Sequence, residues 1–306
     1  MTSPRRSPYK GVLILACGIV LAALLAMHSL VPTTRGLALI VDSMLPWSWV
    51  LIALLLLIAL FRLSLLSIAG VLIPVVVWAS MFWPYLQPAG DPGGADLTVA
   101  TQNVGARLPQ PSATALSLVE QQPDIVTIQE FESLSGQIIQ DQMSSHYEHS
   151  QVKGSVGVWS SWPMSAAEEV DLGLPWIRAF ATTISTDHGD VRFYAVHLPS
   201  VRPGQESLRN AALSTLARQV SADPAERVIV AGDFNSASTD RYFSRLTDDL
   251  TDSRAEVGGG FGFSWPSRLP LTRLDHSLSR GIDPVADEVL DRGTSDHRAV
   301  LVSYDF

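Results

Sequence analysis

Cysteine is close to absent from this chain. Cys17 is the only one in 306 residues, so no disulfide forms within the chain and a folded domain must be held by its own core. Lysine is nearly as scarce, with Lys10 and Lys153 alone. Charge of either sign is missing from the N-terminal quarter. Between Gly11 and Tyr85 only Arg35, Asp42 and Arg62 carry it. Such long uncharged runs are rare in soluble helical cores and argue against an ordinary soluble domain there. Positive charge is short in the rest. From residue 87 onward, 29 acidic residues oppose 16 basic ones, a net charge of −13. Nonspecific nucleic-acid binding neutralises phosphates with basic surface, and this region is poorly suited to it. No fixed-period repeat and no low-complexity tract is present, which sets solenoid folds aside.

What is present begins with apolar runs. Residues 11–31 are 21 residues without charge, long enough to cross a bilayer as a helix. Residues 45–61 form a second run of 17, at the short end of a spanning length. Residues 63–86 form a third, with Pro74 inside it. The basic start (Arg5, Arg6, Lys10) also suits a cleaved signal peptide, but two further runs favour a three-span membrane anchor over residues 1–86. His28 falls in the first span. Arg5, Arg6, Lys10 and Arg62 lie on one side of the spans and Arg35 alone on the other. The positive-inside rule then puts the N-terminus in the cytoplasm and the C-terminal domain outside it. Trp47, Trp49, Trp83 and Tyr85 sit near span ends, as an interfacial belt does.

Residues 87–96, rich in proline and glycine, read as a linker. Residues 97–306 follow as one domain. Strands are expected over 97–103, 125–130, 155–160, 179–185, 192–197, 227–231 and 299–304. Residues 205–221 read as a helix, with Leu208, Ala212, Leu216 and Val220 at four-residue steps. Weaker helices are expected over 113–120, 135–143 and 241–247. Gly258, Gly259 and Gly260 read as a flexible loop.

Polar residues that carry chemistry stand where these strands end. Asn103 closes the first strand and Glu130 the second. A glutamate ending an apolar strand is costly to bury unless it is paired or bound to a cation. His197 closes residues 193–196, and Asp233 and Asn235 follow residues 228–231. A carboxylate in that place can take a proton from water, and the neighbouring amide can hold the water or a phosphate oxygen. Asp296 and His297 precede the last strand, and Asp275 can orient the imidazole of His297. Each motif alone also fits a polar turn after a strand. His276, next to Asp275, points to the opposite face and reads as structural.

The order Asn103, Glu130, His197, Asp233-x-Asn235, Asp275, Asp296-His297 resembles the endonuclease/exonuclease/phosphatase superfamily, over residues 97–306. The resemblance implies a four-layer α/β sandwich, two packed sheets flanked by helices. It implies Mg²⁺ (or Mn²⁺) held by Glu130 with Asn103 and Asp296 near it. Asp233 would activate the attacking water and Asn235 position it. His297, paired with Asp275, would contact the scissile phosphate, and His197 would do so from the other side. The chain departs from the pattern at residues 157–163, where Trp162 replaces the usual residues and is expected to shape the substrate pocket. The acid partner of His197 is not evident. The spans ahead of such a domain look like the bacterial membrane proteins tied to teicoplanin resistance, thought to act on polyprenyl pyrophosphate carriers.

Three functions compete. The first is a membrane-anchored Mg²⁺-dependent phosphohydrolase of a lipid-linked phosphate or pyrophosphate. The second is an anchored extracytoplasmic nuclease, which the lack of lysine disfavours. The third is an inactive binding or scaffold module, which the presence of Glu130, Asp233, Asn235 and His297 disfavours.

Overall fold

A computed structural model describes residues 10–62, 64–105, 109–130, 133–200, 206–291 and 293–306. The chain forms two compact units, divided between Trp83 and Pro84.

The N-terminal unit is helical. Its helices are α1 (Val12–Ala26), α2 (Leu37–Met44), α3 (Ser48–Arg62) and α4 (Leu65–Phe82). Among the described residues, two helical stretches are long and apolar enough to cross a membrane, Thr34–Arg62 and Leu65–Phe82. Three such spans were expected from the sequence; the first fails on length. Helix α1 has 15 residues, which at 1.5 Å per residue reach about 22 Å, short of a hydrocarbon core of about 30 Å. It ends because Met27 leaves the helical conformation and residues His28–Leu30 tighten into a 3₁₀ turn. His28 therefore lies past the helix, where its Nδ1 is 2.8 Å from the buried Asp42 carboxylate. Helices α1 and α4 touch backbone to backbone at Gly18 and Gly70: a Cβ on Gly18 would meet the Gly70 carbonyl oxygen at 1.8 Å. Small residues at such a crossing let apolar helices pack closely.

The C-terminal unit contains two six-stranded sheets. Its strands are β1 (Leu97–Asn103), β2 (Ile125–Gln129), β3 (His149–Lys153), β4 (Val156–Ser160), β5 (Glu168–Glu169), β6 (Ala179–Thr186), β7 (Gly189–His197), β8 (Val228–Asp233), β9 (Thr251–Asp252), β10 (Asp275–Arg280), β11 (Asp283–Val289) and β12 (Val300–Asp305). One sheet runs β11-β12-β1-β2-β4-β3 and the other β5-β6-β7-β8-β10-β9. Both are mixed, with β1 parallel to β2 and β7 parallel to β8. Leu97, Val99, Ile125, Val156 and Val158 from the first sheet pack on Phe180, Ile184, Phe193, Ala195 and Ile229 from the second. Strands buried on both faces read as near-continuous apolar runs, which is why 228–231 and 125–128 carry no polar alternation.

Helices cover the outer faces. Helices α5 (Pro111–Val119) and α6 (Ser133–Ser144) bury Ala115, Leu118, Ile139 and Met143 against Ala100, Val126 and Trp159. Helix α7 (Glu206–Ala222) buries Ala212, Leu213, Leu216 and Val220 against Val196, Val228 and Val230. The result is the four-layer sandwich. The face of α7 differs from the expected four-residue ladder: Leu208 is exposed and Arg209 is buried in its place, bonded to Asp240 at 2.6 Å. A step of four residues overshoots the 3.6-residue turn, so the ladder drifts off the buried side. Two short helices, α8 (Ser244–Thr247) and α9 (Ser253–Val257), complete the unit.

Two further expectations are corrected. Gly258–Gly260 is not a free loop: Gly259 and Gly260 donate to the carbonyls of Gln87 and Tyr85 at 3.0 and 2.8 Å, and Gly90 donates to Val257 at 3.0 Å. Trp162 packs against the core between the sheets. It follows the end of β4 that pairs with Ile125, whereas the other end, Val156, pairs with Gln129 beside Glu130. An antiparallel strand carries its two ends to opposite edges of the sheet, so Trp162 stands far from that corner.

Candidate functional site

Strand register assembles the site. In the second sheet Asp233 is the in-register partner of both His197 and Asp275. Residues in one cross-strand row project from the same face, so the three side chains emerge together. In the first sheet Asn103 is in register with Gln129, and Glu130 is the next residue. The sandwich brings these two rows into contact. The Asn103 amide nitrogen donates to Asp233 Oδ2 at 2.8 Å and to Glu130 Oε1 at 3.3 Å.

Gly232 permits the close approach of β8 to β7. It holds φ 148°, and a Cβ there would meet the Val196 carbonyl oxygen at 1.9 Å. Glu130 and Asn235 both adopt left-handed backbone, φ 59° and 47°, a conformation that costs non-glycine residues about 1–3 kcal/mol each and collects at functional sites. At Asn235 the turn directs the backbone N–H to Asp233 Oδ1 at 2.8 Å and the amide to Asp233 Oδ2 at 2.9 Å. The same amide donates to the Leu198 carbonyl.

Asp233 is fully buried and accepts from both amides. Burial pushes its carboxyl well above the ordinary range and Asp275 adds to the rise, while His297 and Asn103 pull against it. His297 Nδ1 lies 2.8 Å from Asp275 Oδ2. Burial alone would lower this imidazole, but Asp275 and then Asp233 outweigh it and carry it up to about 10. The Ser264 hydroxyl donates to Asp275 Oδ2 at 2.6 Å, and the Ser295 hydroxyl ties the last segment to the Asn103 carbonyl at 2.6 Å. His197 stands at the other end of this row. Its ring is 2.9 Å from Arg178 Nη1, 3.1 Å from Ser155 Oγ and 3.8 Å from Glu130 Oε1. Burial, then Arg178, then His297 lower it to about 3, so it is neutral around pH 7.

The structure thus gathers Asn103, Glu130, His197, Asp233, Asn235, Asp275 and His297. Asp296 is exposed and stands at the margin, its Oδ1 2.9 Å from where a Cβ on Gly105 would be. His276 stands apart, on the other face. Its Nε2 is 2.8 Å from the Ser236 carbonyl and its ring lies 4.3 Å from that of Phe243. Sequence reasoning missed Ser155, Arg178 and Ser264, and the partners of His197 emerge only here. Lone serines and an arginine just before a strand give no signal of their own.

A carboxylate pair bridged by one amide, with a third carboxylate beside Gly105, is a hard oxygen donor set that suits a divalent cation. Asn103 turns its nitrogen toward that pair, and its own Oδ1 accepts from the Gly105 N–H at 2.8 Å. As placed, it orients the carboxylates and offers them a donor. Asp233, Asp275 and His297 also bring one possible ligand atom each within 4.8 Å of one another. That trio is already joined by the His297–Asp275 hydrogen bond, so it fits proton transfer better than ligation.

With this geometry in view, the likenesses are informative. The sequence profile of the Endonuclease/Exonuclease/phosphatase family matches residues 100–297. No curated protein matches the chain. A truncated TDP2 from Caenorhabditis elegans superposes with TM-score 0.60 at 19% identity, covering 71% of this chain and 100% of that one. A beta toxin from Staphylococcus aureus, crystallised with bound magnesium ions, gives 0.56 at 13% identity, covering 68% and 99%. A mannosyl-6-phosphatase from Bacteroides thetaiotaomicron gives 0.53 at 17% identity, covering 69% and 100%. At these identities the likeness is one of fold.

Proposed function

The chain belongs to the endonuclease/exonuclease/phosphatase family, and from that premise we propose that it is a membrane-anchored, divalent-metal-dependent hydrolase of a lipid-linked phosphate ester or pyrophosphate. One observation carries the reading. A single Asn103 amide joins Asp233 and Glu130, with His197 on one side of them and the His297–Asp275 pair on the other.

Glu130 and Asp296 would hold Mg²⁺ or Mn²⁺, with Asn103 keeping Glu130 in place. When bound, the ion neutralises charge that develops on the phosphate oxygens. The rest falls to the chain's own groups. Asp233, its carboxylate fixed by two amides and its proton affinity raised, takes the proton of the attacking water. Asn235 holds that water's line of approach. His297, kept positive by Asp275, donates to a non-bridging phosphate oxygen. His197, neutral, donates from its remaining N–H at the opposite side.

The membrane setting is supported by the two apolar helices and by the uncharged N-terminal quarter. Two crossings by those helices return the catalytic unit to the side of the N-terminus, and the extracytoplasmic placement expected from the basic residues requires residues 11–31 to cross as well. A substrate whose tail lies in the bilayer would meet such an enzyme in two dimensions. The bacterial polyprenyl pyrophosphates are of that kind. The acidic surface after residue 87 works against nucleic acid.

The test is a panel assayed with the purified full-length protein and Mg²⁺: prenyl pyrophosphates, phospholipids, inositol phosphates, and single- and double-stranded DNA. Hydrolysis of a lipid phosphate is expected, abolished by chelator and restored by Mg²⁺. Full turnover in chelator would overturn the metal role. DNA as the preferred substrate would replace this reading with that of a nuclease.

A further inference from the structure

Beside His197 the segment between β5 and β6 folds over a cavity of about 340 Å³ lined by Val170, Leu172, Pro175, Trp176 and Arg178, with Glu169 and Asp171 among its walls. Nothing in the chemistry proposed above uses it. Arg178 joins the cavity to the site. Its Nη1 is 2.9 Å from the His197 ring, and its guanidinium lies over the Trp176 ring at 5.4 Å. Trp176 is 54% exposed, so its surface is open to a ligand while it steadies the cation. Glu130, His197, Arg178 and Trp176 are thus linked by successive contacts of 3.8, 2.9 and 5.4 Å. Among the described residues, Arg178 is the guanidinium hydrogen-bonded to the proposed catalytic set.

We propose that Arg178 and Trp176 form a subsite for a second phosphate, joined to the scissile one by a bridging oxygen, so that the enzyme is specific for pyrophosphate over single-phosphate esters. This rests on the phosphohydrolase reading and narrows it. A guanidinium presents a fork of donors matched to phosphate oxygens. One side chain away from Glu130 is the reach of a neighbouring phosphate in the same ligand. The carboxylates of Glu169 and Asp171 repel a third phosphate, so the subsite takes one phosphate and excludes a running polyphosphate strand such as nucleic acid. In the reaction, the water oxygen bonds to the scissile phosphorus and its proton passes to Asp233. The P–O bond to the bridge breaks, and the bridging oxygen leaves with the electron pair on the phosphate held by Arg178.

Two measurements on the full-length protein test this. The first is steady-state hydrolysis of a short-chain prenyl pyrophosphate and of bis-p-nitrophenyl phosphate by the native protein, Arg178→Ala and Arg178→Lys. Charge-assisted bonds to phosphate are worth roughly tenfold or more in affinity. Arg178→Ala should therefore raise KM for the pyrophosphate about tenfold while moving the diester much less, with partial rescue by lysine. Equal losses on both substrates would mean that Arg178 merely supports His197, and would overturn the proposal. The second is quenching of Trp176 fluorescence by methylenediphosphonate, with Trp176→Phe to identify the signal. Binding about tenfold tighter than that of methylphosphonate is expected, and loss of that preference in Arg178→Ala. Equal affinity for the two would overturn the subsite. A native protein that binds the diphosphonate yet hydrolyses nothing would leave the subsite standing and defeat the hydrolase reading.

Discussion

At the scale of single residues, Asp233 and His297 carry the sharpest expectations. Asp233→Asn keeps the shape of the side chain and removes the proton acceptor. Turnover should fall by about 10²- to 10⁴-fold with the circular dichroism and unfolding midpoint near native; a loss below about threefold would place the base elsewhere. His297 has a pH signature. Its folded value is raised to about 10 by Asp275 and Asp233 against burial, compared with about 6.5 in an unfolded chain. A raised histidine stabilises the fold fully below about pH 6.5 and loses that contribution as pH rises toward about 10. The urea midpoint of the native protein should fall across that window by more than that of His297→Gln. Parallel curves would mean that the Asp275 pair does not hold the proton. Much of this row was readable before any coordinates: Asn103, Glu130, His197, Asp233, Asn235, Asp275 and His297 each stand at a strand end or turn. The two-residue spacing of Asp233 and Asn235 marks a turn carrying two polar groups. Arg178 and Ser155 were not readable, because a side chain that acts by touching a partner 19 or 42 residues away leaves no local pattern.

At the scale of elements, the parallel pairing of β7 and β8 sets the distance between His197 and Asp233. Gly232 is the point on which it depends. Gly232→Ala forces a Cβ to within 1.9 Å of a backbone oxygen that cannot yield. A destabilisation of about 2 kcal/mol or more is expected from strain of this kind, together with lost activity. Denaturant unfolding within about 0.5 kcal/mol of native would show that the strands separate easily there. The long apolar strands were legible because both their faces are buried. Strands β3, β10 and β11 were not, since residues such as Asp275, His276, Ser277 and Ser279 on β10 look like loop composition. On β10 the polar side chains are buried and mostly bonded: His276 to Ser236, Ser277 to Tyr304. Tertiary partners override strand propensity there.

At the scale of the whole molecule, topology follows from charge and from the number of crossings. With the N-terminus inside, a third crossing by residues 11–31 would export the C-terminus, and a periplasmic-type reporter enzyme fused after Phe306 would then be active. Activity of a cytoplasmic reporter at the same position would mean that Thr34–Arg62 and Leu65–Phe82 alone cross. Here too the sequence and the structure part company on one helix. The uncharged run of residues 11–31 says how far apolarity extends, whereas the fold stops α1 at Ala26. The start of the linker shows the same division. Proline and glycine make residues 87–96 read as a linker, yet Gln87 and Gly90, with Tyr85 just before them, are bonded to residues 257–260. Backbone partners of that kind are supplied by whatever loop folds alongside, so composition cannot announce them.

The sequence alone determined the division into an uncharged N-terminal part and an acidic C-terminal one, the apolar strands of the inner sheets, and the acids, amides and imidazoles at their ends. Those features depend on burial and charge, which each residue carries with it. The tertiary structure alone decided which strand ends meet, that one amide binds Glu130 and Asp233 together, and that Arg178 stands beside His197. Register and the packing of one sheet on the other set those distances, and both are relations between segments far apart in the chain.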